Sequence, residues 1–169
     1  MKRRRVLQTV GAGFAALGSG CLGNGGEVVL SVQKDVSIDP EDAWIKQLPD
    51  VSDTGGAIEY IVRADTPFDV YFFSDEENFE MYDSYIKGRD PPETPSGDRA
   101  FSQTALPKQD GEVYEASTDD RAREPLEVDG PSFFAVDHSN YRMETRVEEF
   151  GEELTAFVDL QVIKQRSIL

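Results

Sequence analysis

The sequence predicts a mainly β fold, an antiparallel β-sandwich with one short helix near residues 76–86. Three observations lead there. Several runs alternate apolar and polar residues, as in Val28, Leu30 and Val32 or Leu154, Ala156, Val158, Leu160 and Val162, and a period of two turns one face of each run toward a core. Clusters of Gly, Pro and Asp break the chain between these runs at short intervals, which favours many short strands. One stretch, SDEENFEMYDSYIKG, has helical spacing instead.

In order along the chain, EVVLSVQKDVSI (27–38) is a half-buried strand with a phase break near Lys34, the mark of a bulge. Asp39 and Pro40 end it. Ala43–Leu48 fits either a short strand or one helical turn around Trp44, and DTGG (53–56) is a turn. IEYIVR (58–63) alternates again, and after Pro67 the run FDVYFF places Phe68, Val70 and Phe72 on one face. In the helical stretch Ser74 and Glu77 are spaced as a capping box, and Asp75 and Glu76 suit the positive end of the helix. Phe79, Tyr82 and Ile86 recur at helical spacing, and Gly88 is the stop. KGRDPPETPSGDR (87–99) is a polar, proline-rich loop. Short strands are expected at Phe101–Leu106 and Glu112–Ala116, and Leu126–Val128 leads into a turn at Asp129-Gly130-Pro131. SFFAVD (132–137) is a continuous apolar run, as in a strand buried on both faces. Leu154–Ile163 is the long closing strand.

The first residues, MKRRRVLQTVGAGFAALGSGCL, have a different character. Lys2–Arg5 are basic. The uncharged Thr9–Gly20 that follows is too short to cross about 30 Å of hydrocarbon as a helix, but it has the size of a signal-peptide core. KRRRVLQ resembles the twin-arginine export motif, with Arg3 and Arg4 as the pair and Val6 and Leu7 at its apolar positions. LGSGCLG resembles a lipobox, in which a cysteine, here Cys21, receives a lipid before the chain is cut ahead of it. Ser19 and Gly20 supply the small residues, while Gly18 departs from the motif's apolar position. These resemblances imply a signal peptide at 1–20, a lipid-anchored tether at 21–26 and a single sandwich domain at 27–169.

Lys+Arg number 17 and Asp+Glu 33, but four of the basic residues and none of the acids precede Cys21. From Cys21 onward 13 basic residues face 33 acidic ones, a net charge of −20. Charge of one sign on that scale destabilises a compact state at low salt, and molar salt, with a Debye length of about 3 Å, screens it. The acids are spread along the chain, so salt adaptation reads better than a dedicated surface for cations or basic partners. No basic run remains to engage phosphates, which argues against nucleic acid as a partner. Cys21 is the only cysteine, so no intramolecular disulfide exists.

The run TPFDVYFFSDEENFEMYDSYIKG resembles a segment of small secreted haloarchaeal β-sandwich domains of the jelly-roll type, akin to the GOLD and pre-peptidase C-terminal modules. Its carriers are Pro67, Asp69, Val70 and Tyr71, then Glu77, Asn78 and Phe79, then the aromatic strand Phe133–Asp137 and the final strand Leu154–Ile163. His138 stands where that family has asparagine. The resemblance implies a jelly-roll-like sandwich with an accessory or binding role, although a fold alone does not give a function.

Candidate chemistry is sparse. His138 is the only histidine and reads as a surface or turn residue. One histidine with no cysteine beside it argues against zinc or copper centres, which need nitrogen and sulfur ligands. Calcium takes oxygen ligands, and Asp35, Asp39, Glu41 and Asp42, or Asp119 and Asp120, are acidic clusters, but neither has EF-hand spacing and solvated acids are the plainer reading. Asp137 and Asp159 are of the type a glycosidase pairs, with nothing to set them apart from the other 31 acids. Ser132 and Ser139 lie near His138 without a G-x-S-x-G elbow. Off-phase Tyr71 and Phe73, with Trp44, are the candidates for an exposed aromatic binding strip. The favoured expectation is an exported module on the outer face of a halophile's membrane, anchored by lipid at Cys21 and binding or scaffolding a protein or glycan without a cofactor. A carboxylate-dependent extracellular hydrolase and a solute-binding lipoprotein are the alternatives.

Overall fold

Most of the alternating runs become strands in a computed structural model, which describes residues 26–89, 102–108, 111–118, 124–126, 128, 130–142, 146–149 and 151–166. The elements are β1 (Gly26–Ile38), β2 (Asp42–Leu48), β3 (Gly56–Ala64), β4 (Asp69–Phe73), α1 (Glu76–Ile86), β5 (Ser102–Thr104), β6 (Leu106–Pro107), β7 (Tyr114–Ser117), β8 (Glu124–Leu126), β9 (Ser132–His138), α2 (Arg146–Glu149) and β10 (Leu154–Gln165). One sheet has the order β1-β10-β3-β7-β6, with β8 on the other end of β3; the second has the order β2-β9-β4-β5. All pairings are antiparallel. First strand with last and second with ninth is the nested pairing of a jelly roll, so the expected β-sandwich is the fold. The signal segment, Cys21, Asp119 and Asp120 lie outside the described residues.

The main core lies between the sheets. On β10 Leu154, Ala156, Val158, Leu160 and Val162 are fully buried, while Thr155 is exposed and Asp159 and Gln161 are half-buried. They pack with Ile58, Tyr60 and Val62 of β3 and with Val70, Phe72, Phe134 and Val136 of the other sheet. Each such aliphatic or aromatic side chain contributes about 1.5–3 kcal/mol when removed from water.

Several expectations shift in detail. The irregularity in β1 lies between Val28 and Leu30, not at Lys34. Val29 and Leu30 both pack against the core there. Lys34 then keeps the alternation and lies over the Trp44 ring, 5.5 Å from its centroid. Ala43–Leu48 is strand, because it pairs along its whole length with β9. The single strand expected at 101–106 is divided: β5 pairs with β4 in one sheet and β6 with β7 in the other. Ala105, buried between them with its N–H donating to Phe68 O at 3.0 Å, is where the chain changes sheets. Asp75 rather than Ser74 caps α1, its carboxylate accepting from Asn78 N–H at 2.8 Å and from Asn78 Nδ2 at 2.9 Å. The turn before β3 needs its glycines: Gly55 has φ +74°, and a Cβ on Gly56 would lie 2.8 Å from Val51 Cγ2 and 2.9 Å from Ile163 O. Among the described residues no helix is long and apolar enough to cross a membrane.

Candidate functional site

β4 and β9 are the two central strands of the four-stranded sheet, with Asp69–Phe73 opposite Phe133–Asp137. Their even-numbered residues, Val70, Phe72, Phe134 and Val136, enter the inter-sheet core. Their odd-numbered residues face the other way and are covered by α1. Tyr71, Phe73, Phe133 and Ala135 meet Tyr82 there, with Ala43, Ile45, Phe79, Ile86 and Tyr141 around the margin. Phe79 stacks flat on Phe133, ring centroids 3.7 Å apart, and Tyr82 lies 4.9 Å from Phe73. Tyr141 meets Tyr71 and Tyr82 edge-on at 5.2 and 5.1 Å. Covered on both sides, every residue of β4 and β9 is buried.

At one end of this face the register sets Asp69 directly opposite Asp137. Among the described residues these are the two buried acids, at 2% and 0% exposure. Side chains so opposed have Cβ atoms about 4.5–5.5 Å apart. The Tyr82 hydroxyl donates to Asp137 Oδ2 at 2.6 Å, and Ser139 Oγ donates to the same oxygen at 2.8 Å. Ser139 N–H donates to Asp137 Oδ1 at 3.1 Å, and the Tyr71 hydroxyl to Asp69 Oδ2 at 3.3 Å. The Arg142 guanidinium lies over Tyr71, 5.2 Å from the ring centroid. Burial pushes the Asp137 carboxyl above its ordinary range; the hydrogen bonds from Tyr82 and Ser139 oppose this, and the charge of Asp69 adds to it. Burial and then the Asp137 charge push the Tyr82 phenol well up, so it stays a donor. The arrangement can hold a proton and tie α1 to β9. Both acids are buried, so it presents no carboxylate oxygen to a substrate.

The expected sites are redistributed. Tyr71 and Phe73 are not an exposed strip: both are 0% exposed beneath α1. Trp44 does not join them; it packs at the margin of the inter-sheet core, on the opposite face of its sheet, under Lys34. Asp159 is not the partner of Asp137, for it lies on the other sheet and accepts from Gln33 Nε2 at 3.3 Å. His138 is not on the surface. Buried and pointing away from Asp137, its Nε2 lies 2.8 Å from Glu152 O. A carbonyl can only accept, so Nε2 carries the hydrogen; Nδ1 has no partner among the described residues. Among those residues no three His, Cys, Asp or Glu side chains converge as metal ligands. The pairing of Asp69 with Asp137 had a faint signal: each is a charge at the margin of a run apolar on both faces, where carboxylates are seldom buried without a partner. Comparisons with protein-family models, with curated proteins and with solved structures returned no match.

Proposed function

We propose that the protein is an exported module of a halophile, held by a lipid on Cys21 at the outer face of the membrane, where it binds or scaffolds a protein or glycan. The observation that carries this reading is an order along the chain: Arg3 and Arg4, an uncharged stretch, Cys21, and then β1 from Gly26, with four residues between cysteine and sheet. That spacer reaches at most about 18 Å, so a lipid on Cys21 would hold the start of β1 close to the headgroups. The charge distribution agrees with a salt-adapted surface: every described acid other than Asp69 and Asp137 is exposed or half-buried. The covered aspartate pair weighs against the hydrolase reading, since a reacting bond has to touch both carboxylates. The test is fractionation of cells expressing the whole chain or its Cys21→Ser variant. The wild type should sediment with membranes and need detergent for release, and the variant should appear in the soluble fraction. Unchanged membrane association of the variant rejects the anchor.

A further inference from the structure

We propose that Lys34 and Lys46 close the open side of the sandwich to a second copy of the chain, and so keep the protein from joining edge to edge. β1 ends one sheet and β2 ends the other, and no described strand pairs with the outer edge of either. The two edges lie one above the other, since Lys34 of β1 reaches over the Trp44 ring of β2. A free edge presents a row of backbone donors and acceptors with which another strand can pair. The other described end strands are short: β5 has three residues, β8 three with Pro125 among them, and β6 two, one of them Pro107. Short length and proline blunt those edges. β1 and β2, with 13 and 7 residues, are long enough to template a partner strand.

The two lysines stand where an added strand would enclose them. In β1, Val32 and Val36 turn toward the core, and Lys34 between them has the same phase, opposite the fully buried Val158. In β2, Trp44 and Leu48 turn toward the core, and Lys46 between them has the same phase, opposite the fully buried Phe134. Lys34 is exposed and Lys46 half-buried because no strand lies beyond them. A strand added to either edge would shut that ammonium between the sheets, and enclosing a charge costs more than backbone pairing contributes. Register sharpens the effect in β1. Val29 is the extra residue of the irregularity, so the regular stretch is Leu30–Ile38, with Lys34 at its middle. A two-fold antiparallel pairing of that stretch sets Lys34 opposite Lys34 of the second copy, and like charges so placed repel. From Cys21 onward the chain has 13 basic residues against 33 acidic ones, and Lys34 and Lys46 are two of its five lysines there. Inward lysines at both long edges therefore do not follow from a general abundance of lysine.

The inference does not depend on the lipid. The test is sedimentation of the whole chain at molar salt, with a reductant to keep Cys21 from cross-linking. Molar salt screens the overall charge, so that it does not itself hold copies apart. The wild type should remain a monomer. The double variant Lys34→Thr, Lys46→Thr should associate, with a dissociation constant at least about a hundredfold below that of the wild type. Hydrogen exchange should place the gained protection in β1 and β2. Both substitutions make the chain more negative, so association cannot come from weaker overall repulsion. The double variant Lys34→Glu, Lys46→Glu, which keeps a charge at each place, should stay monomeric. A threonine variant that stays monomeric, a glutamate variant that associates as strongly, or protection gained elsewhere overturns the proposal. So does a wild type that already associates through β1 or β2. Should the variants fail to fold, the wild type decides: β1 exchange that is independent of protein concentration supports the closed edge, and protection that rises with concentration overturns it.

Discussion

The two outer faces of the sandwich solve opposite problems with the same residue type. On the larger sheet the outward carboxylates stay near water and near a cation or a polar donor. Glu115 sits between Arg63 and Lys108, each 2.5 Å away, and Asp159 accepts from Gln33. Burial works to raise the Glu115 carboxyl, but the hydrogen bonds from Lys108 and Arg63 outweigh it and hold it below its ordinary value. On the smaller sheet Asp69 and Asp137 lie under a helix, one against the other, and Asp137 is pushed up by burial. The same acid therefore contributes with opposite pH dependence on the two faces. Glu115 stabilises above the ordinary glutamate value, and that contribution is lost as pH falls through its lowered one. Asp137 favours the fold at low pH and loses that contribution as pH rises through its raised value. Which case applies depends on what covers the sheet, not on the residue.

The contrast can be broken hardest at Tyr82, which is fully buried and supplies both a ring and a hydroxyl to the covered face. Tyr82→Ala should cost about 3–5 kcal/mol, the range for emptying a large aromatic site. Tyr82→Phe keeps the ring but leaves Asp137 short of a donor, and should cost about 1–3 kcal/mol. Denaturant unfolding in molar salt measures both, and equal costs would mean that the hydroxyl contributes nothing.

The solvated face should yield far less. Lys108→Ala removes one of two cations from Glu115, on a half-exposed pair, and should cost no more than about 1 kcal/mol at low salt and less in molar salt. Gln161→Thr, at a half-buried outward position of β10, should stay within about 0.5 kcal/mol. A loss at either position as large as that of Tyr82→Phe would erase the distinction between the faces.

Much of this was legible in the sequence, for a physical reason. β3 and β10 are covered on one face, so their alternation could be read directly, and the span expected for α1 is the span observed. β4 and β9 are covered on both faces, and for SFFAVD a continuous apolar run gives the strand without saying which residues point which way. SFFAVD therefore reads as a strand buried on both faces and FDVYFF as one with Phe68, Val70 and Phe72 on a single face, but neither says that Asp69 faces Asp137, since that depends on register between segments distant in sequence. Tyr71 and Phe73 were assigned to the right face; what covers that face is the packing of α1, a tertiary fact that strand periodicity cannot carry. The irregularity in β1 is expected at Lys34 because a charge breaks the apolar pattern, whereas the Lys34 ammonium lies over the Trp44 ring and the phase continues through it.

The division of acids into a solvated majority and one covered pair is tested most directly by a carbon-13 titration of the aspartate carboxyl groups in the folded chain, from about pH 3 to about pH 9. Asp50 and Asp53 should titrate below the ordinary aspartate value of about 3.9 and Asp137 above it, with the Asp137 step absent in Asp137→Asn. Aspartates that all titrate in the ordinary range, with no displaced step, would contradict the account.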